Sequence, residues 1–248
     1  MMWMRLKLLN KFNYIEHYKT DANEFDYFEE RLGATKDDER RLREYIISVI
    51  PKQSKIILDI GCGSGWVAKY FSNKNKTTIS TDLAFKNVAK SKQLTNLGNH
   101  FGVVTDSFNP SFKIGNIDTI ISSEVIEHVT NPKAFIKSLY QLLPNKGILV
   151  ISTPYNEIIR YILCTHCNKK TPIHAHLHSF TEKYFTDVNR ELINSDIKYY
   201  IFGNKLLIFL RTYVVLRFLP FKLWKMIDSF FNKIFNKPVH LLVVYTKN

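Results

Sequence analysis

The stretch that decides the fold is Ile56-Ile57-Leu58-Asp59-Ile60-Gly61-Cys62-Gly63-Ser64-Gly65. Its apolar first half predicts a buried strand, its glycines predict a turn, and the residues from Trp66 to Phe71 begin a helix. Glycine tolerates the dihedral angles of such a turn and has no side chain to keep a ligand away from backbone N–H groups. The stretch therefore predicts a strand, a loop and a helix that bind a nucleotide-like molecule.

The spacing of the glycines narrows the kind of ligand. The dinucleotide-binding fingerprint requires a third glycine three residues after the second. In this chain the glycines stand at positions 61, 63 and 65, and position 66 is Trp. The loop thus argues against NAD and FAD.

Strand-like and helix-like segments alternate along the chain. Strands are predicted at residues 56–58, 77–81, 101–105, 117–122, 147–152, 197–202 and 239–245. Helices are predicted at residues 37–50, 66–71, 84–94, 124–129, 132–143 and 182–192. Repeated β-α units of this length imply a parallel sheet with helices on both faces, so we expect an α/β fold.

The stretch from Leu58 to Gly65 closely resembles motif I of class I S-adenosylmethionine-dependent methyltransferases. In that family the loop wraps the amino-acid end of the cofactor, and the acidic residue before the first glycine supports the loop and the ligand's ammonium group. The resemblance gives these roles to Asp59 and Gly61. It also assigns cofactor contacts to the rest of the loop, namely Cys62, Gly63 and Gly65. The implied fold is a Rossmann-like, seven-stranded, mostly parallel sheet with a C-terminal antiparallel hairpin strand.

Two further acidic residues follow the next two strands. Asp82 closes the second strand about twenty residues after the loop, where an acidic side chain accepts hydrogen bonds from both ribose hydroxyls, and Leu83 follows it. Asp106 and Ser107 follow the third strand, where the family usually has an acidic residue beside the adenine amino group. The alternative for Asp106 is a turn or a helix cap.

The segment from Asp118 to Val129 resembles the ubiquinone-biosynthesis-like branch of the same family, in which the fourth strand runs into a Glu-x-x-Glu-His helix. With this segment, the resemblance covers about residues 50–155. It makes Ser123 and Glu124 candidates for cofactor contact. Glu127 and His128 become candidates for catalysis.

The chemistry of methyl transfer gives these candidates their roles. Transfer from a sulfonium is an in-line displacement, so the enzyme aligns donor and acceptor and removes a proton if the acceptor is a hydroxyl. His128 can take a proton at neutral pH. On a helix, Glu124, Glu127 and His128 would share one side and could also hold a divalent cation beside an acceptor oxygen. In the alternative interpretation, Glu124 shapes the cofactor site while Glu127 and His128 only fix the helix.

The sequence after the fourth strand bears on the acceptor atom. Methylases of exocyclic amino groups carry Asn/Asp-Pro-Pro-Tyr/Phe there, whereas this chain has Ser122-Ser123-Glu124-Val125. The superficially similar Asn109-Pro110-Ser111-Phe112 precedes that strand and is predicted to be a turn. An amine acceptor is therefore disfavoured and an oxygen acceptor is favoured.

A Cys/His-rich stretch follows the fifth strand. Four of its residues could form a structural zinc site: Cys164, Cys167, His174 and His178. The alternative is a loop of free thiols without metal, because the H-x-H-x-H spacing is not a standard finger. In the family, a His-x-x-x-Phe-Ser/Thr segment, matched here from His176 to Thr181, tends to turn its histidine toward the acceptor pocket. His176 is therefore the third catalytic candidate.

The net charge of +13 favours an anionic partner, such as nucleic acid, lipid headgroups or acidic sugars. Part of this charge lies in the apolar, aromatic insertion 204–237, whose sole acidic residue is Asp228. A helix with a wide apolar face and cationic flanks can lie in a bilayer interface. The alternatives are a cap over the pocket and a dimer surface. RNA binding is disfavoured because the run is too apolar for a solvated phosphate-binding stripe.

These observations define the predicted organisation. We expect an N-terminal helical substrate-cap segment at residues 1–50 and a methyltransferase domain at 51–248, with insertions at 155–180 and 204–237. Cysteine usage and the lack of a signal-peptide pattern or a long apolar span favour a cytoplasmic protein, with peripheral binding to the inner face of the membrane as an alternative. The predicted activity is O-methylation of a small molecule or a glycan, lipid-linked or free. An RNA methyltransferase and a non-catalytic scaffold are the alternatives.

Overall fold

A central β-sheet organises the computed structural model, which describes residues 13–108, 110, 112–165 and 168–248. The strands are β1 (Ile56–Ile60), β2 (Thr77–Asp82), β3 (His100–Val104), β4 (Thr119–Ser123), β5 (Ile148–Pro154), β6 (Tyr161–Leu163), β7 (Lys170–Pro172), β8 (Asp196–Asn204) and β9 (Pro238–Thr246). Strands β6 and β7 form a separate hairpin, and the other seven form one sheet in the order β3-β2-β1-β4-β5-β9-β8. Strands β1 to β5 are parallel, and β9 is antiparallel to β5 and β8. The predicted Rossmann-like sheet with an antiparallel C-terminal strand is confirmed.

Helices precede the sheet and connect its strands. They are α1 (Tyr14–Glu24), α2 (Gly33–Val49), α3 (Trp66–Ser72), α4 (Phe85–Leu94), α5 (Pro132–Leu142), α6 (Glu182–Val188), α7 (Lys205–Phe209), α8 (Tyr213–Leu216) and α9 (Phe221–Ile234). Short 3₁₀ turns lie at Ile126–His128 and Ile173–Ala175, and a π-type turn, Asn189–Ile193, extends α6. Together, α6 and the π-type turn cover the single longer helix that the sequence predicted at 182–192.

The sheet is buried on both faces. Neighbouring residues of a strand point to opposite faces, so Leu58 packs into the core that contains α5 and α6, and Ile57 packs into the core that contains α2, α3 and α9. Both side chains are fully buried. This two-sided burial explains why the central strands are continuous apolar runs.

The glycine loop after β1 adopts a conformation that favours glycine. Gly61, Gly63 and Gly65 have φ angles of 69°, 41° and 67°. A Cβ atom on Gly65 would also lie only 2.5 Å from Ser91 Oγ, so α3 packs closely against α4. The sequence prediction of a strand, tight loop and helix therefore matches the structure, and the loop geometry explains the glycines.

The segment that follows β4 differs from the predicted helix at 124–129. Glu124 has a φ of 55°, and its N–H donates to the Ser152 carbonyl at 3.1 Å, so the backbone stays tied to β5. This kink brings Val125 against the glycine loop, where a Cβ atom on Gly61 would lie 2.7 Å from Val125 Cγ2. One 3₁₀ turn at Ile126–His128 then replaces the helix. The predicted helical i, i+3, i+4 arrangement of Glu124, Glu127 and His128 is therefore wrong.

The insertion 204–237 folds as α7, α8 and α9 between β8 and β9. Arg41 of α2 fixes it, because its guanidinium donates to the carbonyls of Leu216 at 2.7 Å and Leu219 at 3.0 Å. Trp224 and Asp228 of α9 are buried against the body of the protein. No helix in the described part of the chain is long and apolar enough to cross a bilayer.

Candidate functional site

An open pocket with about 850 Å³ of space lies at the carboxyl ends of β1 to β4. Open parallel sheets bind their ligands at this edge. Six residues predicted to contact the cofactor line it: Gly61, Gly63, Asp82, Leu83, Ser107 and Glu124. The structure therefore brings together residues that lie more than sixty positions apart in sequence.

Asp82 is held at the end of β2 by hydrogen bonds from the chain itself. Its Oδ1 accepts from the Ala84 N–H at 2.9 Å, and its Oδ2 accepts from the Asn87 side-chain amide at 3.2 Å and the Gly63 N–H at 3.4 Å. Burial raises the pKa of Asp82, and these hydrogen bonds oppose that rise. A fixed carboxylate at the pocket wall suits a ligand that donates from two neighbouring hydroxyls.

Three other predicted cofactor residues support the loop and the strand ends without lining this pocket in the described structure. The Cys62 N–H donates to the Thr81 carbonyl at 2.8 Å, which ties the loop to β2, and Gly65 caps α3. Ser123 Oγ lies 3.0 Å from Ser152 Oγ, which joins β4 to β5. Cofactor contact by these three residues stays a prediction.

Asp59 is fully buried beneath the glycine loop. Its Oδ2 has no hydrogen-bond partner among the described residues. Burial, and to a lesser degree the charge of Asp82, raises the pKa of Asp59 to about 8. A buried carboxylate without full hydrogen bonding is costly, and a nearby cation compensates for it. This observation fits the role that the family resemblance implies for Asp59, which is to support a positively charged ligand group.

The raised pKa of Asp59 predicts how the stability of the ligand-free protein depends on pH. Because the folded state keeps a proton that the unfolded chain releases near pH 4, the free energy of unfolding falls as pH rises from about 4 to about 8. Asp59→Asn is expected to remove this loss, so its melting temperature should exceed that of the wild type by several degrees at pH 8 and match it near pH 4. Thermal melts across this range test the prediction. An equal pH dependence in both proteins would contradict it.

Tyrosines from the N-terminal segment complete the pocket. Tyr14 and Tyr18 of α1, together with Tyr27, line it, and none of the three belongs to a sequence motif that predicts a site. The Tyr14 hydroxyl donates to Asp106 Oδ2 at 2.5 Å, while Asp106 Oδ1 accepts from the Phe108 N–H at 3.0 Å. Asp106 therefore caps a turn, which is the alternative role given above for this residue. Its contact with adenine stays a prediction. The only sequence signal for the tyrosines was the aromatic richness of the opening stretch.

Glu127, His128 and His176 converge beside the pocket and are called here the Glu–His cluster. One carboxylate oxygen and one nitrogen from each ring lie within 4.8 Å of one another. The Glu127 carbonyl accepts from the N–H groups of Leu177 at 2.8 Å and His178 at 3.3 Å, which brings the 173–178 segment to the 3₁₀ turn. The structure therefore unites the three residues that the sequence predicted to be catalytic.

The Glu127 side chain is buried and incompletely paired. Its Oε2 accepts from the Thr153 hydroxyl at 3.1 Å, whereas Oε1 has no partner among the described residues. Burial, followed by the charge of Glu124, raises the pKa of Glu127 well above its ordinary value. Glu124 itself accepts from the Ser152 hydroxyl at 2.9 Å. A positive group in the cluster would offset the cost of ionising Glu127.

Both imidazole rings of the cluster are oriented by acceptors on their Nδ1 atoms. His128 Nδ1 lies 3.4 Å from the Ala175 carbonyl oxygen, and His176 Nδ1 lies 2.5 Å from Glu157 Oε2. Because these oxygens only accept, Nδ1 carries the proton in each neutral ring and Nε2 has the free lone pair. Burial, with the neighbouring His176, lowers the pKa of His128 to about 4, so its ring is neutral at pH 7. Sequence reasoning missed Glu157 and Ala175.

The predicted zinc site has no support from the described residues. Among them, the only group of three metal-ligating side chains is the Glu–His cluster, so Cys164, His174 and His178 do not converge. Cys167, the fourth predicted ligand, lies outside the described residues, as does His166. Cys164 precedes a turn after β6, and its N–H donates to the Lys169 carbonyl at 2.9 Å.

Residues 34–192 match the model of a family described as a methyltransferase domain. The ubiquinone biosynthesis O-methyltransferase of Cereibacter sphaeroides is 26% identical over 133 residues, which are 52% of this chain and 50% of that protein. The human mitochondrial arginine-hydroxylase NDUFAF5 is 26% identical over 134 residues, 52% of this chain and 35% of that protein. The chain thus spans about half the length, or less, of the curated relatives it matches.

Solved structures agree with the fold. An S-adenosylmethionine-dependent methyltransferase from Mesorhizobium loti superposes with a TM-score of 0.61 at 15% identity, over 85% of this chain and 100% of that one. At this level of identity the similarity concerns the fold, which supports the sheet topology described above.

Proposed function

This chain belongs to the methyltransferase domain family, and from that premise we propose that it transfers a methyl group from S-adenosylmethionine to a hydroxyl group. The transfer leaves S-adenosylhomocysteine, and the hydroxyl proton passes to the solvent. The acceptor is a small molecule or a glycan, lipid-linked or free. In this proposal the cofactor occupies the pocket at the ends of β1 to β4 and the acceptor hydroxyl sits at the Glu–His cluster. The relatives named as O-methyltransferases support an oxygen acceptor.

The observation that carries the proposal is the position of His128, which both lines the pocket and belongs to the cluster. A methyl group moves in line from sulfur to the acceptor atom, so donor and acceptor must meet within a few ångströms. One short segment, Glu124 to His128, contributes residues both to the cofactor pocket and to the Glu–His cluster. The kink at Glu124 is therefore proposed to set the distance between them.

The cluster fits a divalent cation. It offers two imidazole nitrogens with free lone pairs and the unpaired Glu127 Oε1, which are ordinary ligands for such ions. Metal-binding histidines usually donate their other N–H to a carboxylate or a backbone carbonyl, as His176 does to Glu157 and His128 does to Ala175. When bound, a divalent cation lowers the pKa of a coordinated hydroxyl.

The chain's own residues then have defined tasks. Thr153 holds one oxygen of the Glu127 carboxyl, while Glu157 and the Ala175 carbonyl fix the two rings. Tyr18 packs edge-on against the His128 ring, with centroids 5.6 Å apart, and covers it from the side of α1. Together these contacts hold the Glu–His cluster in place for the acceptor. The predicted substrate-cap role of the N-terminal segment is part of this proposal.

Methyl transfer from labelled S-adenosylmethionine into a cell extract tests the proposal. After the extract is separated into lipid, glycan, small-molecule and RNA fractions, label is expected in a non-RNA fraction as a methyl ether. Wild-type protein with S-adenosylhomocysteine in excess serves as the control. Label confined to RNA would favour the RNA methyltransferase alternative, and no transfer by protein that binds the cofactor would favour the scaffold alternative; either result contradicts the proposal.

A further inference from the structure

The helices of the insertion expose large apolar side chains to solvent. In α7, α8, α9 and their connections, seven such residues are between 55% and 79% exposed: Phe209, Leu210, Val215, Phe218, Met226, Phe230 and Ile234. Scattered single apolar residues are normal on protein surfaces, but a concentration of this kind marks an interaction site.

The inner side of the same insertion is already occupied. Trp224 and Asp228 of α9 are buried, with Arg41 stacked 4.9 Å from the centre of the Trp224 ring. None of the residues that line the pocket in the described structure belongs to the insertion. The insertion therefore does not cap the pocket, and its outer face has no partner within the described part of the chain.

The outer face is also strongly cationic. Six of the seven basic residues of the insertion are exposed: Lys205, Arg211, Arg217, Lys222, Lys233 and Lys237. Lys225 instead lies over the rings of Tyr45 and Tyr200. Because its single acidic residue, Asp228, is buried, the insertion contributes no exposed negative charge of its own.

The β6–β7 hairpin extends this face. Ile158, Ile162 and Leu163 are exposed there, and Arg160 and Lys170 add positive charge without any acidic residue in segment 158–172. One groove is lined both by Ile158 and Arg160 and by Lys205 at the start of the insertion. The hairpin and the insertion thus meet at this groove and present a common apolar and cationic composition.

We propose that this face docks on the surface of an anionic lipid bilayer. Apolar side chains with cationic neighbours match the acyl and headgroup layers of such a surface, respectively. A second copy of the chain would bring the same positive charge to the contact, which opposes self-association through this face. RNA would leave the exposed aliphatic and aromatic side chains without burial.

Docking in this way has a geometric consequence for the site. Glu157 lines the groove between hairpin and insertion and also binds His176 of the Glu–His cluster. The acceptor side of the molecule therefore lies next to the proposed lipid-facing surface. The docking proposal itself does not depend on which hydroxyl is methylated.

Co-sedimentation of the full chain with vesicles tests the proposal. Wild type is expected to bind vesicles of phosphatidylcholine with phosphatidylglycerol, and to bind pure phosphatidylcholine about tenfold more weakly. The triple variant Phe218→Ser, Met226→Ser, Phe230→Ser is expected to lose about tenfold or more of the affinity for the anionic vesicles. Lys222→Glu with Lys233→Glu should abolish the preference for anionic lipid while leaving the melting temperature unchanged.

A matched variant controls for the loss of exposed apolar surface. Leu94→Ser, Phe101→Ser and Ile114→Ser alter residues that are 63%, 52% and 67% exposed, and Phe101 lies on β3, at the opposite sheet edge from β8. This variant should bind vesicles like the wild type. Equal binding by wild type and the folded Phe218 triple variant would overturn the proposal. The proposal would also be overturned if the wild type formed an oligomer that binds no vesicles and the Phe218 triple variant were monomeric. The face would then join two copies of the chain.

Discussion

Glu127→Gln is expected to abolish binding of a divalent cation at the Glu–His cluster and to slow methyl transfer roughly 100-fold or more, with little change in affinity for S-adenosylhomocysteine. Glutamine keeps the shape and can still accept from Thr153, but it removes the carboxylate charge that is buried with one oxygen unpaired. Because ionising this buried, incompletely paired carboxyl costs free energy, and the neutral amide of glutamine avoids that cost, the melting temperature should stay level or rise.

Two measurements distinguish a specific loss of cation binding from general damage to the fold. Titration with Mn²⁺, followed by the loss of its free-ion paramagnetic resonance signal, should give one site in the wild type and none in Glu127→Gln. His174→Gln serves as the matched control, because His174 is an exposed imidazole in the same 173–178 segment but not a member of the cluster. The rate is measured on the extract fraction that the wild type labels. Unchanged Mn²⁺ binding in Glu127→Gln would contradict the proposal that the Glu–His cluster binds a divalent cation.

Asp82→Ala should weaken binding of S-adenosylhomocysteine roughly 100-fold or more. Two hydrogen bonds from ribose hydroxyls to a carboxylate contribute about 1.5–3 kcal/mol each, and each 1.4 kcal/mol is tenfold in affinity. Asp82→Asn keeps one acceptor oxygen and the contact with the loop. Its affinity for S-adenosylhomocysteine is therefore expected to lie between those of the wild type and Asp82→Ala. Calorimetric titration gives the affinities.

Loop collapse is the alternative explanation for such a loss, since Asp82 also accepts from Ala84 and Gly63. Melting temperatures of both variants and of the surface control Asp187→Ala distinguish the two causes. Asp187 forms an exposed i, i+4 ion pair with Lys183 and does not line the pocket in the described structure, so its replacement should change neither the affinity for S-adenosylhomocysteine nor the melting temperature. Wild-type affinity in well-folded Asp82→Ala would contradict the assignment of the ribose contact.

Local sequence was sufficient to predict most of the sheet. Leu58 and Ile120 lie in strands that are buried on both faces, and such strands are recognisable as short apolar runs between turn residues. The glycines at 61, 63 and 65 were equally informative, because a positive φ restricts the residue type directly. Both signals come from residues close together in sequence.

The segment after β4 could not be predicted from local sequence. Glu124 to Val129 has a helical pattern, yet the Glu124 N–H pairs with Ser152 of β5, and Val125 packs against Gly61. Pairing with residues that are 28 or more positions away outweighs weak helical propensity in so short a stretch.

The site, too, could be predicted from the sequence only in part. Family resemblance named Glu127, His128 and His176, but the groups that orient them, Glu157 and the Ala175 carbonyl, lie on an irregular loop without periodicity. Tyr14 and Tyr18 reach the pocket from a helix whose sequence has no motif. Their positions depend on how the loop and α1 pack on the sheet, which is a tertiary property.

The position of β9 between β5 and β8 bears on how the chain folds during synthesis. The ribosome produces β5 and β8 first, then the insertion, and only afterwards residues 238–246, which join the two strands. Until then the β5 edge is unpaired, and the newly made helices have no completed sheet to pack on. Contacts that span some ninety residues, from Ile148–Pro154 to Pro238–Thr246, form slowly. A nascent chain of this design is exposed to aggregation for the time that the ribosome needs to translate the insertion, and chaperone binding in this interval would protect it.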